Sequence, residues 1–376
     1  MCLYNVELYW AGDGTGGHLI IAKVIARELK NRGIKTIFVG SNNGQDKAWF
    51  ENSDIFHEKY FLKSSGVVNK KGFRKIFSLF NIITQIFEVK KKLKNKNIKA
   101  VFSVGGYSAA PASFWAVLFK IPLFIHEQNA FTGKLNKLLK PFSKAFYSSY
   151  EKPNFTYPIN LEFFKASRIR KNLKTILFMG GSQGASFING LALNLTKDLH
   201  NKNIKIIHQC GKKEFNKIKA FYDENKIDAL VVDFSNDMPN LMNKADLCIS
   251  RSGASSLWEL CANNLPAIFI PFPYAANDHQ FYNAKFLGNN TKIIRQDRVL
   301  KEEILTEIFN YDLEKTSLNL KELTKENGCE EIVDDMINKI KNDRWVNKFF
   351  KNWKYFFDRW CWCWQKLCCF KNNKTL

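Results

Sequence analysis

The sequence has no apolar run long enough to cross a membrane. Hydrophobic residues make up 45% of its 376 residues, yet nowhere do about 18 apolar residues follow one another. The most apolar stretch, residues 109–125, is interrupted by Pro111, Lys120 and Pro122. The first residues show neither the basic segment nor the long apolar segment of a signal peptide. We therefore predict no transmembrane helix and no signal peptide.

The nine cysteines form no pattern typical of a secreted disulfide framework. Five are scattered along the chain, and the other four crowd near its end, at Cys361, Cys363, Cys368 and Cys369. The spacings C-x-C and C-C do not match a usual zinc site. The sequence therefore predicts reduced thiols, as in the cytoplasm, and no metal ion.

Acidic residues are few, since 35 Asp and Glu against 57 Lys and Arg give a net charge of +22. Residues 63–99 hold eleven Lys and Arg but one acid, and residues 344–376 hold eight but one acid. Such a charge favours an anionic partner: nucleic acid, an acidic membrane or a phosphorylated substrate. No nucleic-acid recognition motif is interleaved with the basic residues, so we predict no nucleic-acid partner.

Short apolar runs alternate with helical patterns, which predicts βαβ units and mostly parallel sheets. Strands are predicted at 6–11, 35–40, 101–104, 123–125, 176–179, 204–208, 230–233, 247–250 and 267–270, and helices at 19–31, 112–119, 185–199, 255–263 and 277–286. The polar segment 151–171 contains proline and lacks periodicity, so it is predicted to be a linker. Because the length suits two domains of roughly 150 residues, we place a domain boundary near residue 160.

Three glycine-rich turns follow apolar runs and precede predicted helices. They are GDGTGGH at 12–18, GGYS at 105–108 and GGSQG at 180–184. Glycine lets the backbone approach a ligand closely, and the N–H groups at the start of a helix attract anions. The three turns predict two nucleotide-type folds that face a phosphorylated substrate.

Two of these turns also fit other enzyme classes. The first matches the dinucleotide fingerprint G-x-G-x-x-G, but the second strand ends in Val-Gly-Ser at 39–41 rather than in an acid that holds a ribose. The third matches the nucleophile elbow G-x-S-x-G of α/β-hydrolases, with Asp246 or Asp278 and His279 as partners. No other feature supports either class, and a phosphate-binding turn explains the same residues.

Polar residues gather at three further places. They are HEQN at 126–129, RSGAS at 251–255 with Glu259 one helical turn further on, and DHQ at 278–280. Open α/β sheets bind ligands at the carboxyl ends of their strands, where the first two groups are predicted to lie. An ordinary polar loop, and a capping or solvated Glu259, are the alternatives.

The segment 73–89 is predicted to form an apolar helix. One of its faces carries Phe73, Ile76, Phe77, Phe80, Ile83 and Phe87, and lysines flank both ends. A helix that is apolar nearly all round is usually part of a core, whereas basic flanks favour a position on a membrane surface. Both interpretations stay open.

These stretches together resemble the MurG family of peptidoglycan N-acetylglucosaminyltransferases. The matching residues are GTGGH at 14–18, GGYSAAP at 105–111, HEQN at 126–129, GGSQGA at 180–185, RSGA at 251–254, LPA at 265–267, and DHQ at 278–280 with NA at 283–284. Each motif alone is weak, but the ordered set is specific, and the similarity continues to about residue 343.

The resemblance implies an α/β protein with the GT-B glycosyltransferase fold, in which two Rossmann-like domains with parallel sheets face a cleft. It implies an N-terminal acceptor- and membrane-binding domain at 1–158, a C-terminal UDP-sugar-binding domain at 159–325, and a helix at about 326–343 that packs back on the first domain. The segment 344–376 has no counterpart, and a membrane anchor or a coding artefact would both explain it.

The implied activity is inverting transfer of N-acetylglucosamine from UDP-N-acetylglucosamine to lipid I (undecaprenyl-diphospho-muramoylpentapeptide), which gives lipid II. The resemblance implies that this step of peptidoglycan synthesis occurs at the cytoplasmic face of the inner membrane, on a peripheral enzyme that binds an anionic membrane surface. No cofactor is implied. A related UDP-sugar transferase with another lipid or small-molecule acceptor stays open.

The resemblance also implies the site residues. On the donor side they are Thr15, Gly16, Gly17, Asn129, Ser182, Phe234, Ser235, Met238, Ala254, Ser255, Glu259, His279 and Gln280. Of these, Phe234, Ser235 and Met238 would contact uracil, Glu259 the ribose, Ser182 with the amides of Ala254 and Ser255 the diphosphate, and Asn129, His279 and Gln280 the sugar. On the acceptor side they are Thr15, His18, Tyr107 and Glu127.

We predict His18 to be the general base, since an ordinary histidine pKa near 6.5 suits that role at neutral pH. Glu127 is the alternative base, and a His18 that only binds the acceptor diphosphate or caps its helix also stays open. The sequence departs from the family at the linker, where Asn160 stands in place of an arginine that turns toward the donor phosphates.

Overall fold

The computed structural model describes residues 7–11, 16–42, 45–63, 73–181 and 184–342, and it describes only the backbone of residues 7–11, 16 and 73–79. The predicted site residues Thr15 and Ser182, and the basic segment 344–376, lie outside the described residues. The described chain forms two α/β halves, each built on a six-stranded sheet in which all strand pairs are parallel.

The first sheet contains residues from the first 148 positions of the chain. Its strands are β1 (Glu7–Ala11), β2 (Lys35–Ser41), β3 (Glu58–Leu62), β4 (Ile98–Ser103), β5 (Leu123–Glu127) and β6 (Ala145–Ser148). The helices up to the second sheet are α1 (Gly16–Asn31), α2 (Asp46–Phe50), α3 (Phe73–Leu93), α4 (Ala110–Leu118), α5 (Lys134–Leu139) and α6 (Leu161–Lys165). The strand order is β3-β2-β1-β4-β5-β6, so the order switches direction between β1 and β4.

The second sheet repeats this topology. Its strands are β7 (Thr175–Met179), β8 (Lys205–Gln209), β9 (Ala229–Val232), β10 (Leu247–Ser250), β11 (Ala267–Phe269) and β12 (Lys292–Ile293), in the order β12-β11-β10-β7-β8-β9. The remaining helices are α7 (Ser186–Asn201), α8 (Phe215–Glu224), α9 (Met238–Lys244), α10 (Ala254–Ala262), α11 (His279–Phe286), α12 (Lys301–Phe309), α13 (Leu313–Leu323) and α14 (Gly328–Lys341). Ligands of such sheets bind outside the carboxyl ends of the strands at the switch points, β1/β4 and β7/β10.

The central strands are buried on both faces because helices cover both sides of each sheet. In β2, Phe38 packs into the core that α1 covers, whereas Ile37 and Val39 pack into the core beneath α3 and α4. This alternation follows from the two-residue period of a strand. It explains why the predicted strands are near-continuous apolar runs rather than alternating ones.

The last described helix returns to the first half of the molecule. Arg32, directly after α1, forms an ion pair with Asp334 on α14, and the Tyr147 hydroxyl donates a hydrogen bond to Asp335 Oδ2 at 2.9 Å. The apolar face of α14, at Ile332, Val333 and Met336, is fully buried. The chain therefore crosses twice between the halves, once before and once after the second sheet in the sequence.

Two local predictions were wrong. The helix predicted at 277–286 begins only at His279, because Asn277 and Asp278 have φ values of 55° and 52° and a right-handed helix cannot include them. The predicted linker also contains a short helix, α6, whose N-cap is Asn160: its Oδ1 accepts a hydrogen bond from the Glu162 N–H at 3.3 Å.

Candidate active site

The glycine turn after β7 has a backbone that only glycine accommodates. A side chain at Gly180 would place its Cβ 2.3 Å from the amide nitrogen of Ala185, and one at Gly184 would place it 2.3 Å from the carbonyl oxygen of Cys210. Gly184 also has a φ of 75°, in the left-handed region. The tight turn lets α7 begin at Ser186, close to the carboxyl end of β7.

Two helix N-termini meet at this edge of the second sheet. β7 and β10 are neighbouring parallel strands, and each precedes a helix, α7 and α10, that no side chain caps at its N-terminus. The first amides of α10 belong to Ala254 and Ser255. Free N–H groups and two helix dipoles give this edge a positive potential. Such an edge is suited to bind a diphosphate.

Glu259 lies about one turn beyond this edge, on α10. Burial raises the pKa of its carboxyl from 4.5 to about 8. The side chain is therefore mostly protonated at pH 7 in the free protein. A ligand that donates hydrogen bonds to it, as the two hydroxyls of a ribose do, favours the ionised form.

The predicted uracil contacts lie between β9 and α9. The Phe234 ring is exposed, the Ser235 hydroxyl accepts a hydrogen bond from the Asp237 N–H at 3.0 Å, and Met238 is the first residue of α9. An exposed ring on a short, hydrogen-bonded loop offers a flat apolar surface of the kind on which a base stacks.

The predicted sugar contacts His279 and Gln280 open α11. The His279 Nδ1 lies 2.9 Å from the carbonyl oxygen of Ala276, and since a carbonyl only accepts, Nδ1 carries the hydrogen. The Gln280 Oε1 accepts the N–H of Phe272 at 2.9 Å. Both side chains thus help to fix the segment between β11 and α11, and each keeps one polar end for a ligand.

Glu127 stands at the carboxyl end of β5, in the first half, and holds the following loop. Its Oε1 accepts the N–H of Asn129 at 3.0 Å, and its Oε2 accepts the N–H of Gly133 at 2.8 Å and the side-chain amide of Asn136 at 2.9 Å. The carboxylate is buried. Three donors already use its two oxygens, so the structure gives Glu127 an architectural role beside any catalytic one.

The Gly105–Gly106 turn, before α4, packs against the same loop. A Cβ at Gly105 would lie 2.8 Å from Nδ2 of Asn136, the residue that also binds Glu127. Tyr107 follows in this turn and is half-buried. The predicted acceptor residues Tyr107 and Glu127 therefore belong to one packed unit.

His18 lies in the first turn of α1. Burial lowers the pKa of its imidazole to about 4; the charge of Glu127 raises that pKa, and the charge of His279 lowers it. His18 is thus within electrostatic reach of β5 in its own half and of α11 in the other half. The expectation of an ordinary pKa was wrong, because the sequence does not reveal this burial. The imidazole is neutral at pH 7 and can accept a proton.

The two halves touch through residues that the sequence patterns did not single out. The Tyr157 ring stacks on Trp258 with ring centroids 5.4 Å apart, and the Trp258 Nε1–H donates to the Tyr150 hydroxyl at 2.9 Å. The Ser255 hydroxyl lies between Tyr157 and the backbone of Gly17. Tyr150 directly precedes the predicted linker and Tyr157 lies within it, and aromatic residues in an otherwise polar segment are the signal that could have marked them.

Arg251 is the cation at the end of β10. Its guanidinium donates to two backbone carbonyls after β11 and, at 2.6 Å, to Gln296, and it lies 5.5 Å from the rings of Phe187 and Phe272. Burial lowers its pKa to about 10. Among the described residues it has no carboxylate partner. Its charge therefore adds to the positive potential beside α7, whereas Asn160 at the linker contributes none.

The two halves match two halves of one enzyme family. Residues 8–148 match the glycosyltransferase family 28 N-terminal domain, and residues 175–339 match the glycosyltransferase family 28 C-terminal domain. The chain belongs to glycosyltransferase family 28. Within the described part of this family 28 chain, no group of His, Cys, Asp and Glu side chains is arranged to hold a metal ion.

Relatives of this family 28 chain carry a more specific name. A protein of Campylobacter hominis is 57% identical over 332 residues, which cover 88% of this chain and 97% of the relative; one of Wolinella succinogenes is 47% identical over 337 residues, covering 89% and 100%. Both are named UDP-N-acetylglucosamine--N-acetylmuramyl-(pentapeptide) pyrophosphoryl-undecaprenol N-acetylglucosamine transferase. The resemblance to the MurG family is thereby confirmed.

A solved structure agrees with this assignment. The crystal structure of Acinetobacter baumannii MurG superposes with a TM-score of 0.70 at 27% identity, covering 88% of this chain and 98% of that one. The predicted GT-B fold, with two Rossmann-like halves and parallel sheets, is confirmed. Like its relatives, this family 28 chain is a glycosyltransferase.

Proposed function

We propose that this chain transfers N-acetylglucosamine from UDP-N-acetylglucosamine to lipid I and so makes lipid II in peptidoglycan synthesis. The observation that carries the proposal is the 57% identity, over 97% of its length, to a relative named for this donor and this acceptor. The paired helix N-termini at β7 and β10 support it, because they suit the diphosphate of a UDP-sugar.

In this proposal the sugar donor, UDP-N-acetylglucosamine, binds to the second half. The amides of Ala254 and Ser255, together with Ser182, bind the diphosphate, and Glu259 accepts hydrogen bonds from the ribose. Phe234, Ser235 and Met238 bind uracil, and Asn129, His279 and Gln280 bind the sugar, with Gly16 and Gly17 at the start of α1 closing the cleft from the other side. The positive edge beside Arg251 supports this placement, since it lies where the leaving diphosphate gains negative charge.

The acceptor lies against the first half, near Thr15, His18, Tyr107 and Glu127. In the inverting step the acceptor 4-hydroxyl forms a bond to the anomeric carbon as the bond from that carbon to the UDP oxygen breaks. The hydroxyl proton passes to His18, and UDP leaves with the electron pair of the broken bond. The charge of Glu127 supports this role for His18, because it raises the pKa of the neutral imidazole, whereas burial lowers that pKa and makes the imidazole a weaker base. The occupied oxygens of Glu127 favour His18 over Glu127 as the base.

The first half binds the membrane surface through α3 and α4. The side chains of Phe80 and Phe87 are each 62% exposed, while Ile86 and Val89 on the other face of α3 are buried. Next to them the ammonium group of Lys90 lies 4.7 Å from the ring of Phe119, which is also exposed. An apolar patch with basic neighbours suits an anionic bilayer surface.

We therefore propose a peripheral enzyme on the cytoplasmic face of the inner membrane, with the basic charge serving lipid rather than nucleic acid. Among the described residues no helix is long and apolar enough to span a membrane. The patch on α3 and α4 gives such an enzyme a means of attachment.

A turnover assay tests the proposal. The purified enzyme is incubated with labelled UDP-N-acetylglucosamine and lipid I in mixed micelles, and we expect lipid II and UDP in equal amounts. Hydrolysis of the donor without lipid II, or transfer to another acceptor but not to lipid I, would instead favour a related transferase. Calorimetry should show UDP binding even without acceptor, and its absence would contradict any UDP-sugar donor.

A further inference from the structure

Asn283 on α11 joins the two halves at the sugar side of the cleft. Its side chain is fully buried. The Oδ1 atom accepts the N–H of Ala130, across the cleft, at 2.8 Å. Its Nδ2 atom donates to the carbonyl oxygen of Ser252, in its own half, at 3.2 Å, and to Oδ1 of Asn129 at 3.1 Å.

Backbone groups fix the orientation of this amide. A backbone N–H can only donate and a carbonyl can only accept, so the Asn283 oxygen must face Ala130 and its NH2 group must face Ser252. The same NH2 group points to Asn129. Asn129 must then present its oxygen to Asn283, because two NH2 groups cannot bond to each other. Asn283 therefore determines which end of the Asn129 amide faces away.

The backbone of Asn129 is held as firmly as its amide. Its N–H donates to Glu127 Oε1 at 3.0 Å, and the adjoining loop is fixed where Gly133 donates to the same carboxylate. The ring of Phe131 in this loop lies 6.3 Å from Tyr282 on α11. The position of Asn129 is thus set largely within its own half, and the orientation of its amide is set across the cleft.

The hydrogen bonds of Asn129 described so far use its Oδ1 and its backbone N–H, and none uses its NH2 group. In the described part of the chain it makes no hydrogen bond, although the residue is half-buried. The nitrogen is not sealed from solvent, so an oxygen of a bound ligand can reach it and accept its hydrogen bond.

We propose that Asn283 is a positioning residue that turns the Asn129 amide so that its NH2 group donates to an oxygen of the donor's sugar. This inference rests on the proposed function, because it takes the sugar of UDP-N-acetylglucosamine as the ligand. It assigns Asn129 the role of hydrogen-bond donor, not acceptor, and it makes that role available only when the two halves are in contact.

The substitution Asn283→Asp tests the orientation. It keeps the size and the acceptor for Ala130 but removes the NH2 group, so the Asn129 amide turns its own NH2 toward the new carboxylate. We expect the KM for UDP-N-acetylglucosamine to rise roughly tenfold, the loss of one hydrogen bond. The Kd of UDP, which has no sugar, should stay unchanged. The matched control Asn310→Asp, at the exposed end of α12, should change neither value.

A double substitution tests whether Asn283 acts through Asn129. If Asn283 acts through Asn129, then Asn283→Asp added to Asn129→Ala should raise the donor KM no further. Additive losses, an unchanged KM in Asn283→Asp, or equal weakening of UDP and UDP-N-acetylglucosamine would each overturn the positioning role.

A second variant covers the case in which Asn283→Asp fails to fold. Asn129→Asp keeps the oxygen that accepts from Asn283 but replaces the NH2 group, so the donor KM should rise by a similar factor while the Kd of UDP stays the same. A wild-type KM in this variant would overturn the inference. A wild-type enzyme that does not turn over UDP-N-acetylglucosamine would refute the proposed function instead.

Discussion

The Ser255 hydroxyl donates a hydrogen bond to the backbone carbonyl of Gly17 at 3.1 Å. This bond joins the first turn of α10, in the donor half, to the first turn of α1, in the acceptor half. The N-termini of α1 and α10, which belong to different halves, are therefore held side by side. His18 follows Gly17 directly, so this contact also sets the position of the proposed base relative to the diphosphate edge.

Replacing His18 by alanine should lower kcat by roughly 10²–10⁴-fold, the usual contribution of a general base. The Kd of UDP should change little, since the diphosphate edge belongs to the other half. Single-turnover kinetics with saturating donor measure the effect, and His57→Ala, an exposed histidine of the same half, is the control. A kcat within about fivefold of wild type would assign the role to Glu127 or to solvent.

Donor binding should release a proton from Glu259. The pKa of this carboxyl is raised to about 8 in the free protein, and ribose hydroxyls that donate to it favour ionisation and lower that pKa. UDP affinity should therefore rise as the pH increases from 6.5 to about 8 and level off above that value. Calorimetry at pH 7 in buffers of different ionisation enthalpy should detect the proton.

The variant Glu259→Gln tests whether the proton released on donor binding comes from Glu259 rather than from another group. Its UDP affinity should be lower and independent of pH over the same range, with no buffer-dependent heat. Loss of a hydrogen bond to a charged group costs about 1.5–3 kcal/mol, which corresponds to a roughly tenfold to 150-fold rise in KM. A wild-type KM with unchanged pH dependence would remove Glu259 from the ribose site.

Replacing Phe80 and Phe87 together by serine should weaken binding to anionic vesicles without unfolding the protein. Both side chains are mostly exposed, so their loss costs little packing. Binding of the wild type should weaken with salt, since each nearby lysine contributes about 1 kcal/mol. Vesicle flotation measures binding, and Phe309→Ser on α12, where the side chain is 41% exposed, is a control in the other half. Unfolding of the double variant would identify the patch as core.

Arg170→Met should destabilise the protein. The Arg170 side chain is fully buried, and it donates to the carbonyls of Arg168, Ala245 and Met242 and to both oxygens of Asn263. Methionine fills the space but leaves these acceptors without donors, at about 1–3 kcal/mol each. Urea unfolding should show a loss of at least about 3 kcal/mol, against none for the exposed Arg298→Met. An unchanged midpoint would mean that water replaces the guanidinium.

The central strands were predictable because burial on both faces leaves a continuous apolar run. β10 was predicted at Leu247–Ser250 and found there. The edge strands β3 and β6 and the two-residue β12 were missed, since a half-exposed strand such as Glu58–Leu62 mixes charged and apolar residues. Helix α8 was missed because its buried face consists of Ile218 and Tyr222 alone.

The site was predictable as a set of motifs but not as a set of contacts. Sequence order identified Asn129 and the segment around Asn283, yet 153 positions separate Asn283 from Ala130, to which it is bonded. The low pKa of His18 and the high pKa of Glu259 arise from burial by residues that are distant in sequence. Local patterns carry no information about such burial.

The two crossings between the halves are bonded to each other. The N–H of Ile159 on the outgoing crossing donates to Asn327 Oδ1 at 3.0 Å, and the N–H of Gly328 on the returning one donates to the Tyr157 carbonyl at 3.3 Å. The second half therefore has both its ends at one point, like an insertion into a surface loop of the first. A single protease cut in the outgoing crossing would leave two fragments held together by non-covalent contacts, among them those of α14 with the first half. A second half transplanted from a relative would need both this junction and the contacts across the cleft to be matched.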